Sequence, residues 1–189
     1  AGSGATPRFV GGCVRDGLLG QTSADLDIAV DQLPGHSMAL LQAADIKVIP
    51  TGLKHGTITA VINGQHFEIT ALRVDVETFG RHATVAFTDD WQRDADRRDF
   101  TINAIYADGD GQVFDPTDGM ADLAAGRVRF VGTAAQRINE DKLRILRFFR
   151  FQARFGQGAP DAEALAACTS AAPGIAGLSG ERVRDELFK

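Results

Sequence analysis

Apolar and polar residues follow short, regular patterns over the first 70 residues, and these patterns predict alternating strands and helices. Thr57–Ile62 and Gln65–Thr70 alternate with a period of two around Asn63-Gly64, which is a strong signal for a two-residue hairpin. The apolar residues of the second strand face one side, and Glu68, the only carboxylate of this hairpin, faces the other. The other elements predicted here are a helix that begins at Val14–Leu19, a strand at Asp25–Val30 and a helix at Ser37–Ala44.

Beyond residue 72 the pattern changes from polar segments to helical periodicity. Residues 73–97 are polar and weakly periodic, which predicts a long loop of the kind that is often functional. Ile102–Ala107 fits either a helix or a strand, and Ala134–Phe155 is apolar at helical intervals. An alanine-rich helix follows, and Ser179 is placed to cap a last helix that begins near Gly180.

This order of elements predicts an α+β fold. We expect a sheet-containing head with flanking helices over residues 1–135 and an all-helical neck over residues 136–189. The last helical pattern runs to the end of the chain, which leads us to expect further segments downstream.

Composition and charge narrow the classes of protein that need to be considered. The 189 residues are 44% hydrophobic and 24% charged, which fits one globular domain or one domain with a short appendage. Two distant cysteines favour a reducing cytoplasm, and no apolar run has the length of a membrane span. The net charge of −5 argues against a strong, generic nucleic-acid binder, although residues 137–154 carry six basic and two acidic side chains.

Two carboxylates separated by one leucine form the first candidate site. If Asp25–Val30 is a strand, Asp25 and Asp27 lie side by side, while Leu26 and Ile28 point into a core. Neighbouring carboxylates repel each other unless a divalent cation lies between them. Together with the glycine turn and Arg15 just upstream, the pair predicts metal-assisted phosphoryl or nucleotidyl transfer. The alternative is a capped turn with two surface aspartates.

Other residues extend this hypothesis, and each has a simpler structural interpretation. Glu68 is either a third carboxylate of the site or a solvated residue at a strand edge. Arg97 and Arg98 can clamp a triphosphate through paired guanidinium hydrogen bonds, and Asn103 can bond a ribose hydroxyl. On its own, an Arg-Arg-Asp sequence is more often a solvated charge cluster.

Residues 140–150 predict an amphipathic helix whose polar side carries one acidic and several basic groups. Adenine and cytosine both present an amine beside an unprotonated ring nitrogen, whereas guanine and uracil present a carbonyl beside an N–H. Asp141 can accept from the amine and Arg144, one turn away, can donate to the ring nitrogen. The alternative is a solvated arginine face opposite a core face. The polar side comprises Asp141, Arg144, Arg147 and Arg150, and the apolar side Leu143, Ile145, Leu146 and Phe149.

Several ordered motifs give the chain a close resemblance to class II CCA-adding tRNA nucleotidyltransferases and the related bacterial poly(A) polymerases. The match runs from about Phe9 to Lys189. The motifs are Gly-Gly-x-Val-Arg-Asp at 11–16, Asp-x-Asp at 25–27, Arg-Arg-Asp-Phe-Thr-Ile-Asn-Ala at 97–104, Asp-Pro-x-x-Gly-x-x-Asp-Leu at 115–123, Glu-Asp-x-x-Arg at 140–144 and Ser-x-Glu-Arg at 179–182. The sequence at residues 80–83 and 89–91 is more similar to that of the CCA-adding members than to that of the poly(A) polymerases.

The resemblance implies a polymerase-beta-type palm and a helical neck that reads the incoming base with side chains. It also implies two Mg²⁺ ions held by Asp25 and Asp27, with a flexible loop at residues 73–96. Full-length members continue into body and tail domains that hold the tRNA, and we expect this chain to lack both. Nucleotide contacts are implied for Gly12, Arg15, Arg98, Asp141, Arg144, Arg147 and Arg150.

The function expected from these features is addition of C and A to the 3′ end of tRNA from CTP and ATP. Asp25 and Asp27 would hold the metals, with Glu68 a third catalytic carboxylate, and a partner could supply the missing RNA-binding part. The alternatives are a poly(A) polymerase that uses ATP only, a CC-adding or A-adding specialist, and a non-catalytic RNA- or nucleotide-binding module.

Overall fold

The computed structural model describes residues 4–23, 25–79 and 82–189, without the side chains of 77–79 and 82–84. The strands are β1 (Pro7–Val10), β2 (Asp27–Val30), β3 (Lys47–Gly52), β4 (Thr57–Ile62), β5 (Gln65–Ala71), β6 (Arg73–Phe79), β7 (His82–Phe87), β8 (Tyr106–Ala107) and β9 (Val113–Phe114). The helices are α1 (Gly12–Leu18), α2 (Pro34–Ala43), α3 (Trp91–Asp96), α4 (Gly119–Ala124), α5 (Ala134–Glu140), α6 (Leu143–Phe155), α7 (Ala162–Ala171) and α8 (Gly180–Leu187).

The main sheet is mixed, with strand order β3-β4-β5-β2-β1-β8-β9. Only β2 and β5 pair in parallel among the neighbours in this sheet as described, and the other pairs are antiparallel. The predicted α+β class is therefore confirmed. The β4–β5 hairpin turns at Asn63 and Gly64, whose φ angles of 51° and 79° are those of the predicted two-residue turn.

The described residues of 73–97 do not form the long loop that the polarity of this segment predicts. They form a separate two-stranded sheet of β6 and β7, followed by α3. A two-stranded ribbon has little apolar surface to bury, so its strands lack the alternation that identifies a strand in a sequence; Val76, for example, is 61% exposed. Residues 80 and 81, which belong to the segment that resembles CCA-adding enzymes, lie outside the described residues.

The helical stretch predicted at 134–155 is broken into α5 and α6 at Asp141. The backbone of Asp141 is extended, with φ −150° and ψ 112°, and its carboxylate accepts a hydrogen bond from the Leu143 N–H at 3.0 Å. Asp141 and Arg144 are therefore not on one continuous helix. The last helix begins at Gly180 as predicted, but the Ser179 side chain makes no capping hydrogen bond.

The core of the helical segment also contains residues of the predicted head. The rings of Phe100 and Phe130 pack at a tilt of 41° with centroids 4.8 Å apart, and Phe130 stacks on Phe148 of α6 at 5.8 Å. The predicted division at residue 135 is therefore crossed by one apolar core. Its buried members are Phe100, Ile102, Val128, Phe130, Ala134, Ile138, Ile145, Phe148, Phe151, Ala164 and Cys168. In the described part of the chain, no helix is both long and apolar enough to cross a membrane.

The face of α6 that packs in this core differs from the predicted one. Phe148 and Phe151 are buried, together with Ile145 as predicted, whereas Phe149 is 47% exposed. The break at Asp141 starts a new helix at Leu143, so its rotation is set by core packing and not by continuation from α5.

The Asp-Pro-x-x-Gly-x-x-Asp-Leu motif builds the turn that supports the core. The Asp115 carboxylate accepts from the backbone N–H groups of Gly119 and Met120, both at 2.8 Å. Fully buried Asp122 accepts from the Thr101 hydroxyl at 2.6 Å and from Arg129 at 2.8 Å. This motif therefore acts as a structural support for residues 97–104.

Replacing Gly119 with alanine should destabilise the protein, because a Cβ there would lie 2.2 Å from the Thr101 carbonyl oxygen. Relief requires a backbone shift, and overpacking of this kind costs about 1–3 kcal/mol. We expect Gly119→Ala to lower the melting temperature by about 5 °C in a thermal melt. The matched control is Gly109→Ala, where no atom lies within 4 Å. Equal melting temperatures for the two variants would contradict this role of Gly119.

Candidate active site

Three carboxylates meet at one cavity beside the parallel strand pair. Asp27 on β2 is the register partner of Glu68 on β5, so the two side chains project from the same face of the sheet. A cavity of about 420 Å³ is lined by Asp25, Leu26, Asp27, His66 and Glu68. The structure thus brings together the residues for which the sequence predicts metal and catalytic roles.

The geometry around Asp25 differs in one respect from the predicted strand. β2 begins at Asp27, so Asp25 and Leu26 precede it and strand alternation does not extend to them. Leu26 is 37% exposed and does not point into a core, contrary to the prediction. Asp25 nevertheless lines the same cavity as Asp27.

The electrostatics of Asp27 connect the cavity with Arg98. Burial raises the pKa of Asp27, nearby Arg98 opposes this rise, and the charge of Asp25 adds to it. The two aspartates therefore repel each other, as expected for a site that gains from a cation. Among the described residues, no three His, Cys, Asp or Glu side chains converge as a ready-made metal cage.

Arg98 is held by a buried anchor. Asp94, 1% exposed, accepts from Arg98 Nη2 at 3.0 Å, from Arg97 Nη2 at 2.7 Å and from the Tyr106 hydroxyl at 2.8 Å. Burial disfavours the Asp94 anion, but Arg98 and Arg97 outweigh it and lower its pKa to about 2. Burial likewise opposes the charge of Arg98, but Tyr106 and Asp94 raise its pKa.

The glycine turn lies directly against Arg98. Gly11 has φ 76° and ψ −128°, which favours glycine, and a Cβ there would lie 3.7 Å from Arg98 Nη1. Gly12 begins α1, and a Cβ there would lie 3.6 Å from Arg15 Nη2. The turn therefore leaves space beside two guanidinium groups.

Arg15 and Asn103 are joined to each other in this structure. Arg15 Nη1 donates to Asn103 Oδ1 at 2.6 Å, and Arg15 also pairs with Asp16. Asn103 Nδ2 donates to Asp99 Oδ1 at 3.0 Å. Both ends of the Asn103 amide are thus occupied within the protein, so in this structure it positions Arg15 and Asp99 and is not free for a ribose.

Asp99 links this group to the helical segment. Its Oδ2 accepts from Arg147 Nε at 2.8 Å, and its Oδ1 accepts from the Phe100 N–H at 2.8 Å. Burial favours the neutral acid, but Arg147 and the hydrogen bond from Asn103 lower the pKa of Asp99. Arg147 and Arg150 in turn contact Glu186 of α8, which is 2% exposed. A continuous polar chain therefore runs from α1 to α8.

The predicted base-reading residues are each paired with a different neighbour. Asp141 Oδ2 accepts from Arg182 Nη2 at 2.7 Å. Arg144 Nη1 donates to Glu140 and to the Arg137 carbonyl oxygen at 2.9 Å. The arginines of this region are therefore not a solvated face, which was the structural alternative.

Sequence reasoning missed the residues that hold the predicted ones in place. Asp94, Asp99, Glu140 and Arg182 pair with site arginines or with Asp141, and none was among the candidates. Asp99 and Arg182 stand inside the motifs at 97–104 and 179–182, so the motifs held a signal for them. Asp94 lies outside the motifs, and only its burial identifies it.

A mixed sheet that presents neighbouring carboxylates beside a glycine turn and anchored arginines defines the head of a nucleotidyltransferase. Residues 7–129 match the poly A polymerase head domain, and the chain belongs to that family. Nucleotidyltransferase family enzymes use divalent metals.

Similar proteins extend the match over almost the whole chain. It is 51% identical over 185 residues to the mitochondrial CCA tRNA nucleotidyltransferase 1 of Mus musculus and to that of Homo sapiens, covering 96% of this chain and 43% of each relative. The crystal structure of the Bacillus stearothermophilus CCA-adding enzyme in complex with CTP has a TM-score of 0.85 at 36% identity, covering 97% of this chain and 44% of that one. The chain spans less than half the length of these relatives.

A tRNA nucleotidyltransferase complexed with a primer tRNA and an incoming ATP analog also shares the fold. Its TM-score is 0.77 at 26% identity, with 98% of this chain and 52% of that chain covered. The resemblance stated from the motifs is confirmed by these matches.

Proposed function

We propose that the protein is a template-independent RNA nucleotidyltransferase that adds C and A to the 3′ end of tRNA from CTP and ATP. The observation that carries this proposal is that Asp25, Asp27 and Glu68 line one cavity, with Arg98 close enough to Asp27 to oppose the rise that burial causes in its pKa. The relatives named CCA tRNA nucleotidyltransferase and CCA-adding enzyme, and the similar structures with CTP and with primer tRNA and an ATP analog, support the same substrates.

The donor chemistry fits divalent magnesium. Mg²⁺ takes one or two protein carboxylates and completes its shell with water and substrate phosphates, so the lack of a three-ligand cage among the described residues agrees with it. We propose that Asp25 and Asp27 hold two Mg²⁺ ions, with Glu68 a further carboxylate of the site. Bound there, the metal would supply Lewis-acid activation of the terminal hydroxyl and neutralise charge on the pyrophosphate.

The residues of the chain itself bind and orient the nucleotide. Arg98 presents Nη1 toward the glycine turn while Asp94 holds the rest of its guanidinium, which suits it to a triphosphate oxygen. Gly12 lets phosphate approach the backbone, and Arg147 and Arg150 add positive charge. Arg15 and Asn103 contribute by fixing the position of Asp99.

Base selection is proposed for Asp141 and Arg144. Asp141 accepts from the exocyclic amine of adenine or cytosine, and Arg144 donates to the adjacent ring nitrogen. Glu140 pairs with Arg144 and Arg182 pairs with Asp141, which orients a guanidinium and a carboxylate before a base enters. Guanine or uracil would leave buried groups unpaired, at a cost of about 1–3 kcal/mol each.

The proposal also assigns roles to the two parts of the chain. Residues 1–135 form the catalytic head and 136–189 the base-selecting neck, and the RNA is held by body and tail segments or by a partner. The compartment proposed from cysteine usage is the cytoplasm.

The direct test offers tRNAs that end before the CCA sequence, after CC, and after CCA, with CTP alone, ATP alone and both. Addition of two C residues with CTP and of one A with ATP is the expected result. Long tails with ATP alone would instead indicate a poly(A) polymerase, to which the name of the family head domain also points. Absence of incorporation by the chain would contradict the proposal.

Asp141→Ala should lower kcat/KM for CTP and ATP by about 10–100-fold, since one base contact is lost and Arg182 loses its partner. The discrimination against GTP and UTP should fall by a similar factor in single-nucleotide incorporation assays. Asp185→Ala is the control, because Asp185 is exposed and pairs only with its neighbour Arg184 among the described residues. An unchanged preference in Asp141→Ala would exclude Asp141 from base selection.

A further inference from the structure

The residues of the site lie on two sides of β2. The glycine turn follows β1, and Arg98 contacts Tyr106 of β8, so both belong to the β1–β8 side of the sheet. Glu68 and His66 lie on β5, on the other side of β2, and the sheet continues from there through β4 to β3. A nucleotide held by Arg98 occupies the first side, which leaves the β5–β4–β3 face for the second substrate.

Two neighbouring rows of side chains cross this face. Asp27 lies opposite Glu68, and in the next row His66 lies opposite Val61, which lies opposite Lys47. Cross-strand partners, like residues two apart on one strand, project from the same face, so the second row shares a face with the carboxylates. The rows are about 7 Å apart along the strands, and His66 and Lys47 are about 10 Å apart across them.

Both basic side chains of this row are exposed and unengaged. Within the ranges that the structure describes, neither His66 nor Lys47 has a side-chain hydrogen bond or ion pair. Arg147 and Arg150 of α6, in contrast, are already paired with carboxylates. His66 also lines the cavity that contains Asp27, and it is the basic group of that lining. Free donors therefore stand next to the reacting carboxylates, on the side away from the nucleotide.

We propose that His66, Val61 and Lys47 form a primer surface that binds the phosphate backbone at the 3′ end of the RNA being extended. This inference rests on the proposed function. The imidazole N–H and the ammonium group donate to phosphate oxygens, and Val61 between them offers an apolar contact to a ribose or base. The terminal hydroxyl then lies at the carboxylates while the preceding phosphates lie over His66 and Lys47.

The primer surface also explains how an acidic chain accommodates a polyanion near its carboxylates. The net charge is −5, so attraction to RNA has to be local. Two donors about 10 Å apart span more than one phosphate of an extended strand. They act on the primer without contacting the nucleotide, so they should affect the two substrates differently.

The test is an initial-rate assay in which CTP is added to an RNA minihelix that ends before the CCA sequence. The double variant His66→Gln/Lys47→Gln should raise KM for the RNA about tenfold, with less than a twofold change in KM for CTP. The slope of log KM for RNA against log salt should fall by about 0.7, since Lys47 carries the fixed charge of the pair and each phosphate contact to a single strand contributes about 0.7. His66→Lys, which adds a fixed charge, should lower KM for the RNA.

A matched double variant controls for charge and composition. His36→Gln/Lys54→Gln removes one exposed histidine and one exposed lysine elsewhere on the surface and should leave both KM values unchanged. If the wild type incorporates CTP but the primer-surface variant keeps its KM for RNA, this inference is wrong and the proposed function stands. The same holds if only KM for CTP changes, because the surface would then serve the nucleotide.

A binding measurement without nucleotide transfer distinguishes failure of the primer surface from failure of the proposed function. Fluorescence anisotropy of the labelled minihelix should show about tenfold weaker binding to His66→Gln/Lys47→Gln than to the control variant. If the wild type binds in this way but transfers no nucleotide, the proposed function fails and the primer surface remains as an RNA site. Equal binding by the two double variants would overturn the primer surface.

Discussion

Replacing Asp27 with asparagine should abolish nucleotidyl transfer, with a fall in rate of at least about 10³-fold. The variant keeps the shape of the side chain but loses the charge that holds the metal. Asp27 is the register partner of Glu68 and shares a cavity with Asp25, so it lies between the two other carboxylates of the site.

The same replacement should not destabilise the fold. Burial raises the pKa of Asp27, Arg98 opposes the rise and the charge of Asp25 adds to it, so the anion costs free energy in the folded protein relative to the unfolded chain. A neutral asparagine removes that cost, and the melting temperature should stay equal or rise. The carboxylate has no internal hydrogen-bond partner among the described residues that would be lost.

Asp45→Asn is the matched control for this experiment. Asp45 is an exposed residue with φ 59°, a backbone conformation that asparagine adopts readily. Its activity and melting temperature should equal those of the wild type. Extension of RNA by Asp27→Asn at more than about 1% of the wild-type rate would show that Asp27 does not hold the metal.

Replacing Asp94 with asparagine should give the largest loss of stability, about 3–5 kcal/mol. The change leaves Arg97 and Arg98 without their counter-charge in a buried setting, and it also removes an acceptor of the Tyr106 hydroxyl. For a chain of this length the melting temperature should fall by about 10 °C. Transfer should also fall, because Arg98 loses the anchor that orients it.

The pH dependence of unfolding gives Asp94 a separate signature. Because its pKa is about 2 in the folded protein and 3.8 is the ordinary value, the stability it contributes is complete above pH 4. That stability is lost as pH falls from about 4 toward 2. In Asp94→Asn this part of the pH dependence of the free energy of unfolding should be missing, as measured by urea denaturation at each pH.

Two further variants test the role of Asp94, one of them in case Asp94→Asn does not fold. Tyr106→Phe removes one hydrogen bond to Asp94 and should cost about 1 kcal/mol, which leaves a folded protein if Asp94→Asn does not fold. Asp89→Asn replaces an exposed aspartate just upstream and should change the melting temperature by less than about 1 °C. A loss of under 2 °C for Asp94→Asn would mean that the arginines do not depend on it.

The local sequence pattern was sufficient to predict much of the sheet and the carboxylates of the candidate site. The β4–β5 hairpin was predictable because strand alternation and a turn at Asn63-Gly64 are both properties of adjacent residues. The orientation of Glu68 followed from the same alternation. Its proximity to Asp27 depends on parallel pairing between β2 and β5, which join residues about 40 positions apart in the sequence.

Local pattern failed where distant contacts decide the conformation. The helical periodicity of residues 134–155 continues through Asp141, but a hydrogen bond to Leu143 and an ion pair with Arg182 stabilise an extended residue there. Asn103 has the chemistry to bind a ribose, but Arg15 and Asp99 occupy both ends of its amide. In both cases the partner lies on another element.

The sequence by itself determined the family, the α+β class and the carboxylate pair, because these reside in short motifs and local periodicity. Only the tertiary structure decided which polar residues are free to meet a substrate. Asp25, Asp27, Glu68 and His66 line an open cavity, whereas Arg15, Asn103 and Arg147 are satisfied by buried partners. The physical reason is that a polar group buried in a fold must pair internally, and its partner is set by packing between elements that are distant in sequence.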